Sequence, residues 1–221
     1  MNEVTVILTS SGRWDLLRIT LESFFRYNTC DIKAFHINDD SGKEIPVEFY
    51  TDFAFVKWTT GQSFKNQIKS LDYLYWLVKT PYVFQMEDDW EFIRPGFIED
   101  SMEILELDPK VLMVWLMELE DHNASPVEWV TPAVTSYPPP GSFGIFKRMP
   151  DLWAWHRFNP SLKRKADYDL IAPFSKHTIF NSEKPWKSEA DISQVYHKLG
   201  FTAAILPKPY IRHIGEGRHV G

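Results

Sequence analysis

Glu87, Asp88 and Asp89 stand side by side directly after the apolar run Tyr82 to Met86. Three adjacent carboxylates repel one another unless a cation or a basic partner lies among them. Oxygen ligands of this kind suit Mg2+ or Mn2+, ions that keep positions open for water and phosphate oxygens. With 30 acidic residues in 221, a triplet also arises by chance, so a plain structural cluster is the competing reading. The position decides for metal, because the triplet closes a strand-like run and precedes a helix start marked by Pro95. A second Asp-x-Asp, at Asp167-Tyr168-Asp169, follows the basic run Lys163-Arg164-Lys165. No strand is expected before it, and it is the weaker candidate.

Two further polar clusters follow strand-like runs: Thr9 to Arg13 and Asn38 to Ser41. Asp39 and Asp40 either form an Asx-turn or accept hydrogen bonds from a base or ribose. Arg13 is a surface arginine or a phosphate contact. Lys65 and Asn66 open a helix after Gly61, where they cap it or face a phosphate at its positive end. Glu189 and Asp191 flank the start of the last helix; acids there complement the helix dipole, or one serves as a general base. Trp153-Ala154-Trp155-His156, with Phe143 and Phe146, reads as core or as a binding platform. The tail from Ile211 to His219 sets two histidines among glycines, which suits a lid, a metal ligand, a phosphate clamp or a solvated end.

These residues need elements to hold them. Val4 to Leu8 reads as a buried strand, and Asp15 to Tyr27 as a helix with Leu17, Leu21 and Phe24 on one face. Ile32 to Ile37 is the next strand, and Phe53 to Val56 a short third. Gln62 to Lys79 is helical through Ile68, Leu71, Tyr75 and Val78, with Pro81 beyond its end. After the strand Tyr82 to Met86 come a helix bearing Ile98, Met102 and Leu105, then a strand from Val111 to Leu116. Ser125 to Gly141, with five prolines, is expected to be a surface loop. Asp191 to Leu199 is the final helix, stopped by Gly200. Strand-helix alternation predicts an α/β fold, a mainly parallel central sheet with helices on both faces. In such sheets ligands bind beyond the carboxyl ends of the strands, where all three polar clusters fall.

Composition bounds the function. Lys plus Arg number 24 against 30 Asp plus Glu, a net charge of −6 and a sequence pI near 5.6. That argues against coating nucleic acid or an anionic membrane. The single cysteine, Cys30, excludes an internal disulfide and a Cys-rich zinc site. The longest apolar run, Val111 to Met117, is far below the ~20 residues that span a bilayer. The chain opens on MNEVTVIL with no basic leader, so the expectation is a soluble, cytoplasmic protein. At this length one domain covers 1–221.

The pattern resembles a nucleotide-sugar-dependent glycosyltransferase of the Rossmann-like GT-A fold. VTVILTSSGRWDLLRITLESF resembles the opening strand, turn and helix of family 2-type enzymes, and HINDDSG their acidic turn. YVFQMEDDWEFIRPGFIEDSMEIL resembles the metal segment, the counterpart of a DXD motif, in the EDD form of N-acetylglucosaminyltransferase I and its relatives. PGSFGIFKRMPDLW resembles their acceptor segment, and SEADISQVYHKLGF their late helix, which opens on the catalytic acid.

The resemblance implies a nucleotide-sugar half at 1–118 and an acceptor half at 119–221. It implies that Thr9, Ser11 and Arg13 line the diphosphate, that Asp39 or Asp40 holds the uracil and ribose, and that Asn66 with Lys65 lies beside the nucleotide. Asp89 would ligate Mn2+ or Mg2+, with Glu87 and Asp88 on ribose or metal-bound water, and His213 or His219 would complete the site. Glu189, or else Asp191, would be the base, since Ala190 separates acids that the family writes adjacent. Trp153 and Trp155 would stack an acceptor sugar. The implied reaction is an inverting single displacement from a UDP-sugar to a glycan or glycoconjugate acceptor hydroxyl. A sugar-nucleotide pyrophosphorylase would want a Gly-rich phosphate loop, but TSSGRWD holds one glycine. A silent nucleotide-sugar or glycan-binding module would have no need of the acid at 189 or 191.

Overall fold

The structure, a computed structural model, describes residues 3–60, 66–117, 133–136, 142–145, 156–179, 186–206 and 208–218. Its centre is β1 (Val4–Ser10), seven residues that are buried throughout, as a β-branched run walled on both faces must be. Beside it lie β2 (Ile32–Asp39) and β4 (Tyr82–Glu87), both parallel to it, with β3 (Val56–Thr59) parallel beyond β2. The sheet order is β3-β2-β1-β4-β9, and β9 (Ser161–Arg164) runs antiparallel at the edge.

Side chains alternate along β1, and so do the two cores. Val4, Val6 and Leu8 point into one, with Leu17, Leu21 and Phe24 of α1 (Trp14–Tyr27), Phe49 of α2 (Val47–Asp52), and Phe97, Ile98 and Leu105 of α4 (Phe97–Leu107). Ile7 points into the other, with Ile68, Leu71 and Tyr75 of α3 (Gln67–Leu77), Tyr168 of α5 (Lys165–Asp169) and Ile192 and Tyr196 of α6 (Trp186–Lys198). Helices therefore cover both faces of the sheet, as the period-two pattern requires.

A second sheet takes the order β6-β10-β8-β7, from β6 (Val111–Trp115), β7 (Ala133–Ser136), β8 (Ser142–Ile145) and β10 (Thr202–Ile205). A two-stranded ribbon pairs β5 (Trp90–Phe92) with β11 (Ile211–His213), antiparallel, with His213 opposite Trp90. Among the described residues no helix is long and apolar enough to cross a membrane.

Several boundaries differ from the sequence reading. The third strand is Val56–Thr59, because Phe53 turns inward as the C-cap of α2 and is buried there. α3 starts at Gln67, where the Asn66 side chain accepts the Lys69 N–H at 2.9 Å. α6 starts at Trp186, upstream of Asp191, and so carries Glu189 inside its first turn. No strand was expected before Asp167-Tyr168-Asp169, yet Lys163 and Arg164 of the basic run belong to β9, an edge strand of the central sheet. Asp167 behind it is buried and paired with Arg164 at 2.7 Å, which turns that Asp-x-Asp into a structural feature. The proline-rich 125–141 loop, apart from β7, lies outside the described residues.

Candidate active site at the strand ends

Register brings the three clusters together. Ser10 at the end of β1 lies opposite Asp39 on β2, and Thr9 lies opposite Glu87 on β4. Residues that follow these strands therefore meet at one edge of the sheet. Thr9 is buried there.

Arg13 is the hub. Its guanidinium grips Asp88 through Nη2 and Nε, and its Nη1 reaches Asp89 Oδ2 at 2.9 Å. Asp88 is 1% exposed and also accepts from Ser10 Oγ and the Ser11 N–H, each at 3.2 Å. Burial pushes the Asp88 carboxyl up, and Arg13 offsets only part of that. For Asp89, burial also pushes up, but His213 and Arg13 outweigh it and hold the carboxyl below the usual range.

Asp39 organises the turn above. Its Oδ2 accepts the Gly12 N–H at 2.7 Å, and its Oδ1 accepts the Ser41 N–H at 3.1 Å and the Ser41 hydroxyl. Gly12 has φ +68°, and a Cβ there would come within 2.8 Å of Ser41 Oγ. Asp40 is half-buried: burial pushes its carboxyl up, against a hydrogen bond from Ser11. Glu87 accepts from Gln67 Nε2 at 2.6 Å and from the Trp90 indole at 3.3 Å. Burial, together with Asp89 and Glu189, holds Glu87 well above the usual carboxylate range.

The tail arrives from far along the chain. His213 Nε2 stands 3.4 Å from Asp89 Oδ2, with its ring 4.8 Å from the Trp90 ring. Its contact with Asp89 raises the imidazole pKa, partly opposed by burial. The Ile214 N–H donates to the Asp89 carbonyl at 2.9 Å, and Gly215 lies against the Asp89 side chain. Arg218 pairs with Asp15 at 2.6 Å, and its carbonyl accepts from Arg13 Nη1 at 3.2 Å. The described part of the tail is thus strand and turn, tied to the site.

On the facing helix, Glu189 Oε1 accepts the Phe158 N–H at 2.7 Å. Burial pushes this carboxyl up, opposed by Arg157, the Phe158 N–H and Lys163, and its field reaches Glu87. Asp191 follows two residues later, about 200° around the helix. It is held elsewhere, by Lys187 at 2.6 Å and Thr178 at 2.8 Å. The structure therefore brings Thr9, Ser11, Arg13, Asp39, Asp40, Glu87, Asp88, Asp89 and His213 to one edge, and Glu189 is near enough to act on the charge of Glu87. Asn66 caps its helix next to Gln67. Lys65, Trp153, Trp155 and His219 lie outside the described residues.

Sequence reasoning missed Gln67, Trp90, Arg157, Lys163 and Gly215. Gln67 had one local signal, its place at the head of α3. Trp90 had another, its place directly after Asp89; Arg157, Lys163 and Gly215 meet the site only through pairing of distant segments.

No family profile matches the chain, and no curated protein matches it in sequence. Solved structures do. GalNAc-T7, solved with UDP, GalNAc and Mn2+, matches with a TM-score of 0.68 at 13% identity, over 96% of this chain and 43% of that one. The mannosyltransferase PcManGT from Pyrobaculum calidifontis, solved with GDP-Man and Mn2+, matches with a TM-score of 0.64 at 14% identity, over 97% of this chain and 57% of that one. The fold is GT-A. At these identities the likeness is one of architecture, and the chain spans less than two thirds of either protein. Within a GT-A fold, the strand-end edge that gathers Arg13, Asp88, Asp89 and His213 is the place where an α/β sheet takes its ligand.

Proposed function

We propose that this chain is a metal-dependent glycosyltransferase that moves a sugar from a nucleotide diphosphate donor to an acceptor hydroxyl. The observation that carries it is the convergence of Arg13, Asp89 and His213 at the strand ends, with Glu189 near enough to act on the charge of Glu87. Both structural neighbours were solved with Mn2+ and a nucleotide or nucleotide-sugar, which supports the class. UDP is favoured by the likeness of the HINDDSG turn.

The donor set fits a divalent ion. Asp89 Oδ2 already lies between two cationic or cation-seeking groups, Arg13 and His213, and Gly215 leaves it no covering side chain. Among the described residues no three His, Cys, Asp or Glu cluster as ligands. Asp89 and His213 would therefore hold the ion, with His219 as a further candidate, and phosphate oxygens and water would fill the rest. A carboxylate-imidazole pair suits Mn2+ better than Mg2+, which prefers an all-oxygen shell. When bound, the ion supplies neutralisation of the charge that develops on the leaving diphosphate.

The chain's own residues do the rest. Arg13, released from Asp89, is free to lie along the diphosphate with Thr9, Ser11 and Lys65. Asp40 is the better contact for ribose or uracil, because Asp39 is already spent on the Gly12–Ser41 turn; Asn66, with Lys65, would lie beside the nucleotide. Glu87 and Asp88 fix the floor of the site. Glu189, rather than Asp191, takes the acceptor proton, worth roughly 10²–10⁴ in rate. A carboxylate raised by burial is a better base than an exposed one. Transfer inverts the anomeric centre by single displacement, and a covalent glycosyl-enzyme would overturn this. Residues 1–118 form the donor half, and 119–221, with Trp153 and Trp155, the acceptor half.

The test is calorimetric titration of UDP and GDP with Mn2+ and with chelator, beside Asp89→Ala. Metal-dependent binding that disappears in the variant is the expected result. Binding of neither nucleotide under any condition would remove the basis of the proposal.

A further inference from the structure

Lys163 lies inside the central sheet, 3% exposed. Its ammonium donates to Gln85 Oε1 at 2.9 Å and to the Arg157 carbonyl at 3.2 Å. Gln85 also accepts from the Tyr75 hydroxyl at 3.0 Å and donates from Nε2 to the Phe158 carbonyl at 3.0 Å. Side chains of β9 and β4 therefore hold the carbonyls of two consecutive residues, Arg157 and Phe158.

The other side of that segment faces α6. The Phe158 N–H donates to Glu189 Oε1 at 2.7 Å, and the His156 N–H donates to Ser193 Oγ at 3.0 Å. Residues 156–158 thus bolt the helix that carries Glu189 to the sheet interior, and Lys163 is the charged end of the bolt. An ammonium buried this deeply is costly unless acceptors and opposite charge compensate it. The acceptors are Gln85 and Arg157; the opposite charge comes from Glu189 and Glu87, and both act on Lys163.

We propose that Lys163 is a positioning residue that sets the orientation and the charge state of Glu189 through the Arg157–Phe158 backbone. This role rests on the reading of Glu189 as the base. The groups facing Glu189 among the described residues are Arg157, Lys163 and the Phe158 N–H on the favourable side and Glu87 on the unfavourable side. Those facing Lys163 are Glu189 and Glu87, with neutral His156 nearby. Burial brings Lys163 down to about 7, against the pull of both acids.

The experiment is carbon-13 NMR on the full chain, with Glu labelled at Cδ and Lys at Cε. Glu189→Gln identifies the Glu189 resonance by its loss, and Lys163→Met does the same for Lys163. In Lys163→Met the Glu189 midpoint is expected to rise by about one pH unit, a roughly tenfold fall in the ratio of ionised to protonated Glu189. Lys163→Gln, which keeps a donor to the Arg157 carbonyl but no charge, is expected to give a similar rise. By reciprocity, Glu189→Gln lowers the Lys163 midpoint by a matching amount. This arm decides alone if the Lys163 variants do not fold, since Gln still accepts the Phe158 N–H and the Lys163 resonance is then the lysine signal that titrates far below the others. Midpoints unmoved in the folded variants would overturn the proposal. A transfer assay with UDP-sugars separates the two claims. A dead Glu189→Gln enzyme without coupling removes only the role of Lys163. A Glu189→Gln enzyme at full activity removes the base, and with it the role.

Discussion

A side-chain carbon placed on Gly215 would stand 2.4 Å from Asp89 Oδ2 and 2.8 Å from Asp89 Cβ. No real Cβ tolerates that approach, so the tail reaches the carboxylate only because residue 215 is glycine. The same turn passes the Ile214 N–H to the Asp89 carbonyl. Backbone and side chain of Asp89 are thus both set by a segment over a hundred residues away in sequence. Gly215→Ala is expected to weaken Mn2+-dependent UDP binding by about tenfold or more. Its melting temperature should change little, because the tail can shift without opening a core. Calorimetry and thermal unfolding, run together, check this.

Removing the Arg13 side chain strands Asp88, whose side chain is 2% exposed, without its charge partner. Breaking such a pair from one side is expected to cost about 3 kcal/mol of stability in Arg13→Gln. Adding Asp88→Asn removes the stranded charge and is expected to restore part of the loss. Urea unfolding of the two single variants and the double gives the coupling directly. An additive cycle would show that Arg13 does not support Asp88.

His156 is fully buried, and among the described residues neither ring nitrogen has a hydrogen-bond partner. It packs against Phe158, Phe174 and Tyr196. Burial, helped by Lys163, keeps the folded pKa far below the ordinary histidine value. The unfolded chain takes up a proton near pH 6.5 that the folded chain cannot. Stability from this residue is therefore full above about pH 6.5 and falls as pH drops, by up to about 1.4 kcal/mol per unit. His156→Phe is expected to flatten the stability profile between pH 7.5 and 5.5, measured by urea midpoints.

Glu189 and Asp191 point to different sides of α6, so conservative changes should separate them. Glu189→Gln is expected to lower kcat by roughly 10²–10⁴ at nearly constant nucleotide binding. Asp191→Asn loses an exposed ion pair with Lys187 and should stay within a few-fold of wild type, with stability lowered by under about 1 kcal/mol. Steady-state kinetics with the donor found by the UDP and GDP titrations decides between them.

Much of the architecture was legible because its signals are local. Val4 to Leu8 is β-branched and apolar, Leu17, Leu21 and Phe24 recur at helical spacing, and strand-end acids follow at once. Boundaries slipped where a tertiary contact overrode the pattern: Phe53 was drawn into the core beside Phe25 and Phe49 at the expense of an earlier strand start. Lys163-Arg164-Lys165 gave no strand signal, yet β9 places Lys163 inward and Arg164 against carbonyls of Leu105 and Pro109.

An α/β chain with polar clusters at the ends of its strands can be read along the sequence, because hydrophobic period and turn residues act between near neighbours. The division of labour among like groups comes from the packing of distant segments. Asp88 and Asp89 are adjacent, yet one is buried under Arg13, Ser10 and Ser11 while the other meets His213 and Gly215. Glu189 and Asp191 share a helix, yet only Glu189 turns to the Phe158 N–H. Such differences come from which distant segments pack against each carboxylate. Burial and charge at a site are sums over neighbours in space, and the order of residues along the chain does not contain that sum in readable form.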